Sequence, residues 1–266
     1  MIVHVASIEM ACGAVGEWPA LAGELARRWW PGPLTLVLPK SPAIPDIVTA
    51  GLNTVGVRMP AHPIALELIR AAGVPIAAPS ANRSTAISPT TAEHVVKSLG
   101  DRVDLVLDAG PTGYGIESAI VDVSRAPAVL LRHGAIPLGT LAEHAAIVDG
   151  AGAVVAEGER ARAPGSHARH YAPRARVLLV PGDAVRGEVE ARRARGERTG
   201  TLERAPGTAL GEPAEVLPDD PAGFAAGLYA ALHRLEDAGC AVIVIAAAPE
   251  GGAWAAVRDR LRRASA

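Results

Sequence analysis

The sequence predicts an α/β protein: a larger twisted mixed sheet with helices, followed by a small second α/β unit. Three observations predict it. Short β-rich runs alternate with amphipathic helical stretches through the first 148 residues. A tract of Gly, Ala, Arg and Pro without periodicity then interrupts the chain from Asp149 to Arg176, and strand-like and helix-like segments resume beyond it. The expected organisation is a domain over residues 1–148, a linker or lid over 149–175, and a small α/β domain over 176–266.

Within the first part, Pro and Gly interrupt the apolar patterns and so mark out the elements in order. Strands are expected at Ile2–Ala6, Leu34–Leu38, Thr54–Arg58, Pro75–Ala78, Val103–Leu107, Ala119–Val123 and Ala128–Leu131. Helices are expected at Trp18–Trp30, Pro63–Ala72, Thr90–Leu99 and Leu138–His144. The stretch PIAAPSANRSTAISPTTAEHV, Pro75 to Val95, is the most informative: a buried strand, a polar turn over Pro79–Ser84, then a helix start at Ser88-Pro89 with Glu93 in its first turns. Ser88 reads as the N-cap of that helix. A strand ending in hydroxyl and amide side chains before a helix whose free N–H groups point back at it forms an anion-binding corner, with phosphate the obvious guest. In the second part, ARVLLVPG, a helix at Val185–Arg195, a helix at Pro221–Ala238, AVIVIAA and a helix at Trp254–Arg263 suggest a small Rossmann-like sheet. It carries no GxGxxG turn, so no dinucleotide is assigned to it.

Bulk properties fit an ordinary enzyme of the cytoplasm. At 266 residues and 49% hydrophobic content the chain can bury one large core or two unequal ones. A net charge of −2 gives no global attraction to nucleic acid, so any RNA contact would be local. Only Cys12 and Cys240 are present, which excludes a disulfide scaffold or a Cys-ligated zinc fold and fits a reducing compartment. The longest apolar run, Ala241 to Ala248, is too short to cross a bilayer, and the opening MIVHVASIEMAC lacks a basic region and carries Glu9.

PSANRS followed by SPTTAEHV closely resembles the signature of the YrdC-like domain of threonylcarbamoyl-AMP synthases. IVHVAS (Ile2–Ser7), WWPGPLTLVLPKS (Trp29–Ser41) and VGVRMPAHP (Val55–Pro63) stand before it in the family's order, and GIESAIVDV (Gly115–Val123), LLRHGAI (Leu130–Ile136) and APGSHARHYAP (Ala163–Pro173) after it. The remainder is similar to the C-terminal domain of the family's long form. The resemblance implies a reaction joining L-threonine, bicarbonate and ATP, with magnesium, into threonylcarbamoyl-AMP and pyrophosphate. That product supplies a downstream threonylcarbamoyl transferase that modifies adenosine next to the anticodon of tRNA. Carboxylated amine attacking the α-phosphorus needs positioning and cationic or N–H donors rather than a protein nucleophile. Neither Lys40 nor Lys97 lies in a Walker loop, so arginine and hydroxyl side chains would carry this work.

Arg58, at the end of VGVR, is either a surface arginine or a fork of donors to a carboxylate or phosphate, and the resemblance implies contact with ATP or threonine. Ser80 and Asn82 are turn formers in their own right, and the resemblance places them, with Ser88, on the nucleotide. Ser118 in GIESAIVD is either a buried strand serine bonding its neighbours or, by resemblance, a contact to the threonine substrate; it is not in a serine-hydrolase motif. Arg132 follows the apolar run Ala128–Leu131, and the resemblance makes it a nucleotide ligand, with His133 where the family usually has proline. His4 sits in an apolar setting that suits a core histidine, while the match to L-I-V-H implies a threonine contact. His170 and Tyr171 read either as a local anchor of the linker or, by resemblance, as a lid on the nucleotide.

Family members carry P-T-E-T-Y-G-L and K-x-R motifs upstream of the I-V-H at which this sequence starts. The expectation is a truncated or mis-started synthase that lacks cations at the phosphates and has an exposed sheet edge or open core. Two alternatives follow: a catalytically impaired homologue acting as a nucleotide- or double-stranded-RNA-binding module, and a carbamoyl-transfer maturation factor. The linker and small C-terminal unit argue against the latter.

Overall fold

The computed structural model describes residues 1–152, 170–206 and 210–266. Of the expected linker, residues 153–169 lie outside them. In chain order the elements are β1 (Ile2–His4), α1 (Ile8–Ala14), α2 (Ala20–Trp29), β2 (Leu34–Pro39), α3 (Asp46–Thr49), β3 (Thr54–Arg58), α4 (Pro63–Ala72), β4 (Ile76–Ala78) and α5 (Ala92–Leu99). There follow β5 (Ala119–Asp122), β6 (Ala128–Arg132), α6 (Leu138–Ala142), β7 (Ile147–Asp149), β8 (Arg176–Val180), α7 (Val185–Ala194), β9 (Thr199–Arg204), β10 (Ala214–Leu217), α8 (Pro221–Asp237), β11 (Val242–Ala246) and α9 (Ala255–Ala264).

The chain divides into two units. The first comprises residues 1–79 and 117–152 and holds a seven-stranded mixed sheet in the order β4-β1-β3-β2-β5-β6-β7. Strands β2 and β5, near its middle, run parallel and are apolar almost throughout, because both of their faces are covered. Leu25, Leu34, Leu36, Leu38, Val55, Val57, Val121, Leu130 and Leu141 form its core. Local chemistry fixes the helix ends. Ser7 caps α1 by accepting from the Met10 N–H at 3.1 Å. Helix α4 opens on Pro63, where a missing N–H costs nothing, and closes on Gly73 at φ 67°. Strand β4 is an edge, and beside it lies a cleft of about 440 Å³ lined by Val3, Met10, Ile44, Val48, Val74 and Ala77.

The second unit comprises residues 80–116 with 170–206 and 210–266. Its sheet is parallel and four-stranded, in the order β10-β9-β11-β8, with a core of Leu202, Phe224, Leu228, Tyr229, Leu232, Ile243, Trp254, Val257 and Leu261. Asp220 caps α8 by accepting from the Gly223 N–H at 2.7 Å. Among the described residues no helix is long and apolar enough to cross a membrane.

Several expectations need correction. Ser88 is not the N-cap of its helix: Thr91 is, its side chain accepting from the His94 N–H at 3.3 Å, while Ser88 is buried. The stretch Val103–Leu107 forms no strand; it runs without a sheet neighbour, and Leu105 is 76% exposed. The helices expected at Trp18–Trp30, Thr90–Leu99 and Leu138–His144 are shorter at one or both ends, as terminal turns usually are. Helices α1 and α3 and strands β7, β9 and β10 had no expectation.

Candidate functional site

In the first unit, pairing register brings the predicted residues to strand ends. β1 pairs parallel with β3 so that His4 lies opposite Arg58, and antiparallel with β4 so that His4 also lies opposite Ile76. Arg58 is aimed by a hydrogen bond from its Nε to the Gly32 carbonyl at 2.9 Å, and the Gly32 N–H in turn donates to the Met59 carbonyl at 2.9 Å. The turn before β2 and the end of β3 therefore fix the guanidinium together.

His4 is neutral under ordinary conditions. Burial, and then the nearby Arg58 cation, push its pKa down to about 4. Its Nδ1 is buried with no hydrogen-bond partner among the described residues. Between its ordinary value of 6.5 and about 4 the unfolded chain holds a proton on this residue that the folded chain does not. The stability tied to His4 is therefore fully present above pH 6.5 and is lost as the pH falls toward 4. Urea titrations of wild type and His4→Gln across that window are expected to converge by about 3 kcal/mol as the pH falls, and parallel pH profiles would contradict this.

A buried polar knot lies at the junction of β2, β5 and β6. Ser118, immediately before β5 and 1% exposed, shares a hydrogen bond of 2.8 Å with Thr35 of β2. Arg132, the last residue of β6, donates from Nε to the Ser118 carbonyl and from Nη2 to the Ser118 hydroxyl, each at 3.1 Å. Gly134 makes this possible by close approach: a Cβ there would stand 2.0 Å from the Ala119 nitrogen and 2.3 Å from the Ser118 carbonyl carbon. His133 sets its Nε2 3.3 Å from Asp149 of β7. Thr35 has a weak signal in the sequence as the single hydroxyl in the buried run LTLVL; its partner could not be read there.

In the second unit, the turn after β4 is held in an unusual backbone shape. Ala81 at φ 55°, Thr85 at φ 68° and Tyr171 at φ 58° are left-handed without being glycine, a conformation that surrounding contacts must over-determine. Those contacts are present. Asn82 Nδ2 donates to the carbonyls of Arg83 at 3.0 Å and Ala86 at 2.9 Å, which is the turn chemistry expected of it. The Ala172 N–H donates to the Thr85 carbonyl at 2.9 Å, and Ala86 and Ala172 form a parallel bridge. His170 and Tyr171 are thereby docked beside the turn carrying Ser80, Asn82 and Ser88.

The Tyr171 ring is 2% exposed: it stacks on Tyr229 of α8 with centroids 5.7 Å apart and lies under the Arg260 guanidinium, 5.0 Å from its centroid. His170 meets it edge-on, and the His170 N–H donates to the Arg263 carbonyl. The Tyr171 side chain thus anchors its segment to the second core. Arg260, which the sequence gave no reason to single out, is 1% exposed and is balanced by Asp259 at 2.8 Å. Ser80 is exposed on the turn.

The structure thus gathers His4, Arg58, Ser118 and Arg132 within the first unit, and Ser80, Asn82, Ser88, His170 and Tyr171 within the second. Comparison with known proteins bears on both. Residues 1–134 match a family model described as telomere recombination, the Sua5–YciO–YrdC family, and residues 134–266 match one described as the threonylcarbamoyl-AMP synthase C-terminal domain. The chain is similar over its whole length to a threonylcarbamoyl-AMP synthase of Pyrococcus abyssi, at 42% identity and covering 79% of that protein. It is likewise 37% identical to one of Bacillus subtilis, again over 100% of this chain and 79% of the relative. Among solved structures, P. abyssi Sua5 complexed with L-threonine superposes with a TM-score of 0.88 at 40% identity, covering 99% of this chain and 79% of that one.

Proposed function

The chain belongs to the threonylcarbamoyl-AMP synthase family, and on that premise we propose that it joins L-threonine, bicarbonate and ATP into threonylcarbamoyl-AMP, releasing pyrophosphate. The observation that carries this reading is similarity along the entire chain to a synthase, together with a relative whose structure was solved with L-threonine. The threonine amine and bicarbonate form a carbamate with loss of water. A carbamate oxygen attacks the α-phosphorus, and the bond to the pyrophosphate oxygen breaks. Within the first unit, we assign His4, Arg58 and Ser118 to threonine, and Arg58 and Arg132 to the nucleotide. Within the second, we assign Ser80, Asn82, Ser88, His170 and Tyr171 to the nucleotide.

Valence supports the role of Ser118. A serine hydroxyl can make three hydrogen bonds, and Thr35 and Arg132 use two. One remains for the substrate hydroxyl. Neutral His4, whose Nδ1 has no hydrogen-bond partner among the described residues, offers a second polar contact without opposing Arg58 as a cation would. Magnesium, implied by the resemblance, finds no group of three His, Cys, Asp or Glu side chains among the described residues. A divalent ion carried mainly by triphosphate oxygens and water fits that donor set. We place the reaction in the cytoplasm, its product passing to a transferase that acts on tRNA.

Substrate discrimination tests the reading. Wild type is expected to prefer L-threonine over L-2-aminobutyrate, which lacks the hydroxyl, by about a hundredfold or more in kcat/KM, and Ser118→Ala to lose most of that preference. Equal use of the two amino acids by wild type would contradict a site built around the hydroxyl.

A further inference from the structure

The fold joins helix α8 to the turn before α5 through a pair of histidines. His233 of α8, 7% exposed, sets its Nε2 3.2 Å from the Ser88 carbonyl oxygen. Its ring lies on that of His94 of α5, with centroids 3.7 Å and planes 22° apart. His94 Nδ1 in turn stands 3.2 Å from both the Thr90 backbone nitrogen and Thr90 Oγ1.

The partners dictate where the protons sit. A carbonyl oxygen only accepts, so His233 carries a proton on Nε2. A backbone N–H only donates, so His94 Nδ1 is bare. A proton added to His94 Nδ1 would expel the Thr90 N–H. A charge on both rings would set two cations face to face. Burial acts in the same direction on both residues, pushing each imidazole below its ordinary range.

The charged groups facing the pair come from both helices. Glu93 and Lys97 lie on α5; Arg234, Glu236 and Asp237 lie on α8. Lys97 pairs with Asp237 and with Glu236 at 3.9 Å, Arg234 with Glu215, and Arg174 with Glu236. Asp237 and Glu93 favour a charged His94 while Lys97 and Arg234 oppose it, and Glu236 and Lys97 likewise oppose one another at His233, so burial stays the largest influence on both rings.

We propose that His233, acting with His94, is a positioning residue for nucleotide binding: from the C-terminal helix it clamps the Ser88–Thr91 backbone, and so the Ser88 hydroxyl, in the shape that receives ATP. This rests on the reading of Ser88 as a nucleotide contact. It gives the C-terminal domain a direct part in the reaction, because a residue of its longest helix sets the backbone of the phosphate corner. It also makes that part sensitive to acid, since a proton on His94 Nδ1 breaks the Thr90 contact and a charge on both rings sets two cations face to face.

The test compares wild type with His233→Ala, His233→Gln and Ser88→Ala, reading KM for ATP, KM for threonine and kcat across pH. His233→Ala is expected to raise KM for ATP about five- to tenfold while leaving KM for threonine within about twofold. Glutamine keeps an N–H donor for the Ser88 carbonyl but cannot titrate, so His233→Gln is expected to restore KM near neutral pH. Its KM for ATP should also rise less steeply than that of wild type as the pH falls below the ordinary histidine range. An unchanged KM for ATP in His233→Ala, alongside a raised one in Ser88→Ala, would overturn the clamp and leave the nucleotide reading intact. An unchanged KM in Ser88→Ala would overturn both. Should His233→Ala fail to fold, coincident pH profiles for wild type and His233→Gln would overturn the clamp.

Discussion

Gly134→Ala is expected to leave little natively folded protein, because the space a Cβ would need is occupied by backbone. The added carbon would lie 2.0 Å from the Ala119 nitrogen, 2.3 Å from the Ser118 carbonyl carbon and 2.7 Å from the Ala119 Cα. These atoms cannot yield as a flexible side chain would. Ala119 starts β5, which is paired on one side with β2 and on the other with β6, and its N–H donates to the Pro33 carbonyl at 3.0 Å. Overpacking against side chains typically costs about 1–3 kcal/mol, and a clash with paired backbone belongs above that range. A loss of roughly 4 kcal/mol or more would consume much of the stability of an ordinary domain. Any protein that does fold should have Ser118 displaced from Arg132 and should have lost synthase activity. Thermal unfolding and an activity assay on the same preparation check this. A variant with wild-type melting temperature and activity would show that Gly134 does not pack on Ser118 as described.

Asp259→Ala should be the most damaging single change in the second unit. Asp259 is 8% exposed and accepts from Arg260 and Arg262 at 2.8 Å and from Arg263 at 3.0 Å. Two of those guanidiniums are themselves buried, Arg260 at 1% and Arg263 at 4% exposure. Removing the carboxylate takes a buried counter-charge away from these cations, a loss of about 3–5 kcal/mol. Burial pushes the Asp259 carboxyl up, but Arg260, Arg263 and Arg262 together outweigh it and hold the group below the usual carboxylate range. Its contribution is therefore present above the ordinary carboxylate pKa and is lost as the pH falls through the depressed one. The damage should reach the His170–Tyr171 segment, since Arg260 lies over the Tyr171 ring and the Arg263 carbonyl holds the His170 N–H. Urea unfolding at neutral pH should show the loss, and a change under about 1 kcal/mol would contradict a buried ion cluster.

Much of this architecture was legible because local rules and tertiary context agreed. Pro63 and Gly73 bracket α4 as proline and glycine should bracket a helix, and the apolar run LTLVL became a central strand. The anion-binding corner shows where they diverged. Ser88-Pro89 is a sound helix-start signal, yet the helix begins after Thr91, whose hydroxyl caps it by accepting from the His94 N–H, while the Ser88 carbonyl meets His233, far away in the sequence. The run Val103–Leu107 has the composition of a strand, but a strand exists only where a neighbour accepts its backbone groups, which composition cannot supply.

The candidate residues could be named from motifs, whereas the contacts that hold them could not be read from the sequence. Arg58, Ser118 and Arg132 could be picked out by motif, whereas the carbonyl that aims Arg58 and the threonine that shares the Ser118 bond come from chain partners distant in sequence. The arginine-rich last helix looks like a solvated face. One aspartate turns it into a buried cluster, and no periodicity announces that.

Incubating the purified protein with labelled bicarbonate, L-threonine and ATP, then following label into a nucleotide product together with pyrophosphate, tests the central claim most directly. Label should enter a threonylcarbamoyl-adenylate in equal amount to the pyrophosphate released, and only when threonine and ATP are both present. Pyrophosphate release independent of threonine, or no labelled adenylate at saturating substrates, would contradict the account.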